Sequence, residues 1–125
     1  MSASGWIGVD LDGTLAKYEA WNGGVGDPIP LMVERVKKWL ADGVEVKIFT
    51  ARVGTGAGHS SESGRSDDER FAEEQRRIIE AWCEVHLGQK LPVTATKDFR
   101  MIELWDDRAI QVIPNTGVRA DGAEG

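Results

Sequence analysis

Two aspartates two residues apart, in Val9-Asp10-Leu11-Asp12-Gly13-Thr14-Leu15, form the most chemically loaded segment of the chain. At average composition an Asp-x-Asp-Gly-Thr string arises by chance in a chain of this length roughly once in a thousand sequences. In an extended or just-turning segment the two carboxylates project to the same side. Held close together away from bulk water, they repel unless one is protonated or a cation lies between them. Either escape is chemically useful. A divalent ion keeps one carboxylate ionised, while the other retains a proton for a leaving group. The bland alternative is a turn capped by Asp10 and Asp12, with Gly13 at positive φ.

Three further segments carry matching chemistry. Phe49-Thr50-Ala51-Arg52 places a hydroxyl and a guanidinium after an apolar run: Thr50 can donate to a phosphoryl oxygen, Arg52 offers a planar fork of phosphate geometry, and Ala51 lies between them in the same phosphate-binding set. Trp105-Asp106-Asp107-Arg108 supplies a second acidic pair. Adjacent carboxylates at a strand end diverge, so one is expected to meet a metal directly and the other to act through it. Lys97 precedes that pair, where an ammonium can hold down a carboxylate and a phosphoryl group together; a plain surface lysine is the alternative.

Hydrophobic periodicity supplies the elements that must position these groups. Trp6 to Val9 reads as a short buried strand ending at Asp10. Met32, Val33, Val36, Trp39 and Leu40 recur at helical spacing, with Asp27, Pro28 and Pro30 at the start and Gly43 at the end. Val44 to Phe49 reads as a second strand. Residues 53–66 are rich in Gly and Ser and read as a mobile loop. Ser66-Asp67-Asp68-Glu69 has capping-box spacing and opens a long helix whose apolar face reads Phe71, Ile78, Ile79, Trp82 and Val85, up to Gly88. Three short apolar pieces follow: Val93 to Ala95, Ile102 to Trp105, and Ile110 to Ile113.

This order predicts an α/β fold, Rossmann-like and three-layered, with a mostly parallel sheet and helices on both faces. Strands three and four are separated by 96–101, too short for a helical crossover, so their pairing stays open. One domain is expected over 1–114, with a polar, flexible tail over 115–125. In such sheets ligands bind beyond the carboxyl ends of the strands, where Asp10, Thr50 and Asp106 fall.

Composition narrows the partners. The chain has 125 residues, 41% hydrophobic and 29% charged, in the range of ordinary globular domains. Its formal charge of -6 is the wrong sign for gripping nucleic-acid backbones non-specifically. No secretory signal or membrane-spanning apolar run is visible, and a single cysteine, Cys83, fits a reducing compartment; a cytoplasmic protein is expected. Gly54-Thr55-Gly56-Ala57-Gly58 lacks dinucleotide-fingerprint spacing and reads as a flexible loop, with a lid as the functional alternative, while His59 and His86 share no metal-ligand spacing.

In Asp10 to Thr14, Thr50, Lys97 and Asp106-Asp107, taken in order, the chain resembles the haloacid dehalogenase superfamily of phosphohydrolases, over Trp6 to about Ile113. The resemblance implies a magnesium-dependent phosphatase working through an aspartyl-phosphate. Asp10 would be nucleophile and metal ligand. Asp12 would be general acid and base, also lending its backbone carbonyl to magnesium. Backbone N–H groups near Leu11 and Gly13, together with Thr50 and Lys97, would hold the phosphoryl group. Asp106 would complete the metal ligands, with Asp107 the alternate. The interval Ala16 to Asp27 is too short for a substantial cap, which by resemblance implies a large substrate or closure by a second copy in a homo-oligomer. Tyr18 and Trp21 in that flap can stack on a base or sugar. A nucleotidase or polynucleotide 3′-phosphatase is therefore one alternative to a phosphatase of phosphorylated small molecules, and a catalytically silent binding domain is another.

Overall fold

The computed structural model describes residues 5–54 and 67–123. Its elements are β1 (Trp6–Asp10), α1 (Pro30–Ala41), β2 (Glu45–Phe49), a single 3₁₀ turn (Ala51–Val53), α2 (Asp67–Leu87), β3 (Val93–Thr94) and β4 (Met101–Trp105). The four strands form one parallel sheet in the order β3-β2-β1-β4. The α/β, Rossmann-like expectation is met in this form. Pro30 opens α1, where its missing N–H costs nothing, and Asp67, Asp68 and Glu69 occupy the first turn of α2 against the helix dipole. Ser66 and most of the 53–66 loop lie outside the described residues.

Helices on both faces are not found among the described residues. From β1 through β2 to β3 the chain steps in one direction, so two right-handed crossovers put both helices on the same face. Their apolar sides share one core: Met32, Val33 and Val36 from α1, and Ala72, Ile79, Trp82, Cys83 and Leu87 from α2, with Ile7, Val9, Val46, Ile48 and Val93 from the strands. The opposite face carries Trp6, which Lys47 covers with its ammonium 4.6 Å from the ring. Gly8 brings Met101, Trp6 and Leu104 together there, since a Cβ would sit 2.8 Å from the Met101 methyl.

The link between β3 and β4 needs no helix. The seven steps from Thr94 to Met101 reach roughly 23 Å extended, and three inter-strand spacings (roughly 14 Å) combined with the descent along β1 (roughly 13 Å) need roughly 19 Å. Residues 95–100 make that passage, held by Trp6 Nε1 donating to Asp98 Oδ1 (2.9 Å) and Trp6 N donating to the Arg100 carbonyl (2.8 Å).

Two other expectations are corrected. Ile110 to Ile113 forms no strand: Val112 makes a single antiparallel bridge to Arg119, Ile113 N donates to Val118 O and Ala120 N to Gln111 O, around a turn with Asn115 and Gly117 at positive φ. The segment's hydrogen bonds thus go to its own returning chain. On α2, Phe71 and Val85 are exposed and Ile78 is half-buried; the buried stripe runs Ala72, Gln75, Ile79, Trp82, Cys83, Leu87. No helix among the described residues is long and apolar enough to cross a membrane.

Candidate active site

Parallel strands end at one edge, and register brings their ends level. Asp10 pairs with Phe49, and Val9 with Trp105, so Asp10, Thr50 and Asp106 leave neighbouring strands side by side. Trp105 is anchored on α1 by Trp39 (ring centroids 5.2 Å apart) and by Arg35, 4.8 Å from the ring, which fixes where the chain turns into Asp106 and Asp107. Carboxylate oxygens of Asp10, Asp106 and Asp107 all lie within 4.8 Å of one another. Both aspartates of the second pair therefore reach Asp10, where divergence had been expected to admit only one. The Thr14 hydroxyl spans the group, 3.4 Å from Asp10 Oδ2 and 3.3 Å from Asp107 Oδ1.

Gly13 makes this approach possible. Its φ is +89°, and a Cβ there would stand 2.5 Å from Asp107 Oδ2. Its N–H, expected to face a phosphoryl oxygen, instead donates to the Ala16 carbonyl at 2.8 Å, closing the turn after β1. The Leu11 side chain is core, and its carbonyl accepts from Leu15 and Ala16.

Burial, then the hydrogen bond with Asp107 and the charges of Asp106 and Asp107, push the Asp10 carboxyl up to about 7; Thr14 opposes them. A cation among three crowded carboxylates removes that penalty. The donor set is all hard oxygen, which fits magnesium or calcium rather than a softer metal.

Asp12 stands apart from this cluster. Its two oxygens accept from Arg52 Nη2 (2.7 Å) and Nε (2.8 Å), and Arg52 Nη1 donates to Gln75 Oε1 (2.8 Å). The Arg52 fork, expected for phosphate, is thus taken by Asp12: at 8% exposure the guanidinium needs a nearby counter-charge, and Asp12 provides it. The Asp12 side chain accordingly does not join the metal-binding group. Buried Thr50 accepts from Arg52 N through its hydroxyl oxygen (3.2 Å), which leaves the hydroxyl proton for a ligand. Lys97 is exposed and does not line the cleft; Ala51 does.

The cleft has a volume of about 820 Å³ and is lined by the polar groups Asp10, Asp12, Thr50, Arg52, Asp106 and Asp107 and by the aromatic rings of Tyr18, Trp21 and Phe71. The flap that carries Tyr18 and Trp21 is pinned at its base by Lys17 N donating to Asp27 O (2.8 Å) and by Trp82 Nε1 donating to Gly26 O (3.0 Å). The sequence assigns no role to Arg108 or Gln75 and places Phe71 on the apolar helix face, whereas Phe71 lines the cleft. Arg108 follows the second acidic pair directly and lines the cleft, with its N–H donating to Asp106 Oδ1 at 2.7 Å. Gln75 interrupts the apolar stripe of α2, the one signal that it serves a buried polar partner. His86 packs on the Trp82 ring, and burial pushes the Cys83 thiol up to about 11, as befits an inert core residue. His59 lies outside the described residues.

No family model and no curated protein matches the chain. A solved structure of a conserved protein from Bacteroides thetaiotaomicron is similar at 20% identity, over 90% of this chain and 83% of that one, with a TM-score of 0.54. That likeness concerns the fold.

Proposed function

We propose that the chain is a magnesium-dependent phosphomonoester hydrolase that works through an aspartyl-phosphate, as its resemblance to haloacid dehalogenase phosphohydrolases implies. One observation carries the reading: Asp10, Asp106 and Asp107 converge within 4.8 Å at the carboxyl edge of a parallel sheet, with Asp12 and Thr50 in the same cleft. Asp10, Asp106 and Asp107 would hold the ion. When bound, magnesium keeps Asp10 ionised and neutralises charge on the phosphoryl oxygens.

The chain's own groups do the rest. An Asp10 carboxylate oxygen attacks phosphorus, forming the P–O bond to Asp10 as the bond to the ester oxygen breaks. Asp12 enters the first step as the carboxylic acid and gives that oxygen its proton; as the carboxylate, the form Arg52 grips at two points, it then takes one from the water that attacks the aspartyl-phosphate. Thr50 donates to a phosphoryl oxygen, and Arg52 positions Asp12. Arg108 supplies the cleft cation that Lys97 was expected to supply. The pairing of Asp10 with a positioned Asp12 favours this over a silent binding domain. A cytoplasmic setting, where the Cys83 thiol stays free, belongs to the same reading.

The test is turnover of p-nitrophenyl phosphate with magnesium, with chelator, and in Asp10→Asn. Magnesium-dependent release that vanishes in the variant is expected. No turnover in the wild type, or undiminished turnover in Asp10→Asn, contradicts the proposal.

A further inference from the structure

From the aromatic wall that shares the cleft with the acidic cluster we infer that the substrate is a nucleoside monophosphate, its base held against Trp21 and Phe71. This inference rests on the phosphomonoesterase reading and names the leaving group. Tyr18, Trp21 and Phe71 are 47%, 50% and 44% exposed, all on the one cleft that also holds the carboxylates. They come from two separate elements, the flap and the first turns of α2, so their meeting is tertiary.

The platform is held in place. Trp21 and Phe71 pack with centroids 5.9 Å apart at 47°, and the Arg52 guanidinium lies 4.7 Å from the Trp21 ring. Arg52 is itself gripped by Asp12 and Gln75, and Gln75 Nε2 reaches back to the Gly23 carbonyl of the flap at 3.4 Å. The proton-transferring carboxylate and the aromatic wall therefore share one anchor. A ring that enters such a site meets surface already in place and loses little freedom of the protein. A cleft of about 820 Å³ has room for more than a phosphoryl group.

Phosphomonoesters that carry a planar ring include aryl phosphates, which leave as aryl oxides, and nucleotides, which leave as sugar alkoxides. An aryl oxide departs readily without a proton, whereas a sugar alkoxide needs one. Asp12, which gives that proton in the reading this inference rests on, lines the same cleft and serves the second case. The formal charge of -6 argues against a polynucleotide, whose further phosphates the chain would repel.

AMP and ribose 5-phosphate differ only by the base, so the ratio of their kcat/KM values isolates its contribution. Wild type, Trp21→Ala and Phe71→Ala should be compared on both substrates and on phosphotyrosine. Equilibrium binding of AMP and ribose 5-phosphate should also be measured by calorimetry on Asp10→Asn, alone and combined with Trp21→Ala. AMP is expected to be preferred over ribose 5-phosphate by about tenfold or more, and each aromatic truncation to cut AMP by about five- to hundredfold while ribose 5-phosphate moves less. Equal kcat/KM for the two, with truncations lowering both alike, overturns the inference but leaves the phosphatase reading intact. Preference for phosphotyrosine overturns the nucleoside assignment. If nothing is hydrolysed yet Asp10→Asn binds AMP in a Trp21-dependent manner, base recognition is supported and the phosphatase reading fails. Neither turnover nor binding sinks both.

Discussion

Replacing Asp10 by Asn should stabilise the metal-free protein at alkaline pH while abolishing catalysis. Asn keeps the shape of the side chain, removes its charge, and can donate to Asp107. The Asp10 carboxyl is pushed from 3.8 to about 7, chiefly by burial and then by Asp107 and Asp106. Between these values the folded chain binds a proton that the unfolded chain releases, so stability is fully present below about pH 4 and is lost as pH rises through about 7. Three pH units set a ceiling of about 4 kcal/mol. Asp10 is only half-buried, and solvent screening brings the working figure to about 1–2 kcal/mol. For a domain of this size that is a rise in Tm of roughly 3–8 °C. Thermal unfolding in chelator at pH 8 and pH 5 checks it: Asp10→Asn should melt above wild type at pH 8, and the gap should be clearly smaller at pH 5. Magnesium should raise the wild-type Tm at pH 8 and that of the variant much less. Equal or lower stability of Asp10→Asn at pH 8, or a wild type that gains on the variant as pH rises, would refute the crowded-carboxylate account.

Three further outcomes follow from the same geometry. Arg52→Lys, which loses the two-point hold on Asp12, should lower kcat by about ten- to hundredfold with KM changed far less, measured on protein whose Tm confirms folding. Gly13→Ala should cost about 1–3 kcal/mol for its left-handed backbone and, by displacing Asp107, weaken magnesium binding in calorimetry; unchanged affinity would mean that Asp107 is not a ligand. Lys97→Ala should leave kcat/KM within about twofold, whereas Arg108→Ala should lower it by about tenfold or more; the reverse order would restore the role first expected of Lys97.

What could be read from the chain and what could not divides along physical lines. Asp10 and Asp106 were legible as acids on one edge because parallel strands all end there; that they are neighbours rests on the pairing of β1 with β4, which no local pattern encodes. That α1 and α2 share one face was not legible, because it depends on β1, β2 and β3 stepping in one direction, and no local pattern encodes that. Arg52 was recognised as a fork, but its partner is a carboxylate forty positions earlier, and choosing between Asp12 and a phosphate requires coordinates. Helical periodicity put Phe71 on the apolar face of α2, but it lies in the first turns of that helix and lines the cleft, 44% exposed. Ile110 to Ile113 had the composition of a strand, but a turn at Asn115 and Gly117 folds the following residues back onto it.

The covalent step is most directly tested by acid-quenching a phosphomonoester reaction of Asp12→Asn with magnesium and locating the phosphoryl group by peptide mass spectrometry. Loss of the group that activates water should let the intermediate accumulate, with phosphate on Asp10 and nowhere else. Phosphate on another side chain, or burst release of the leaving group with no phosphorylated protein, would contradict nucleophilic attack by Asp10.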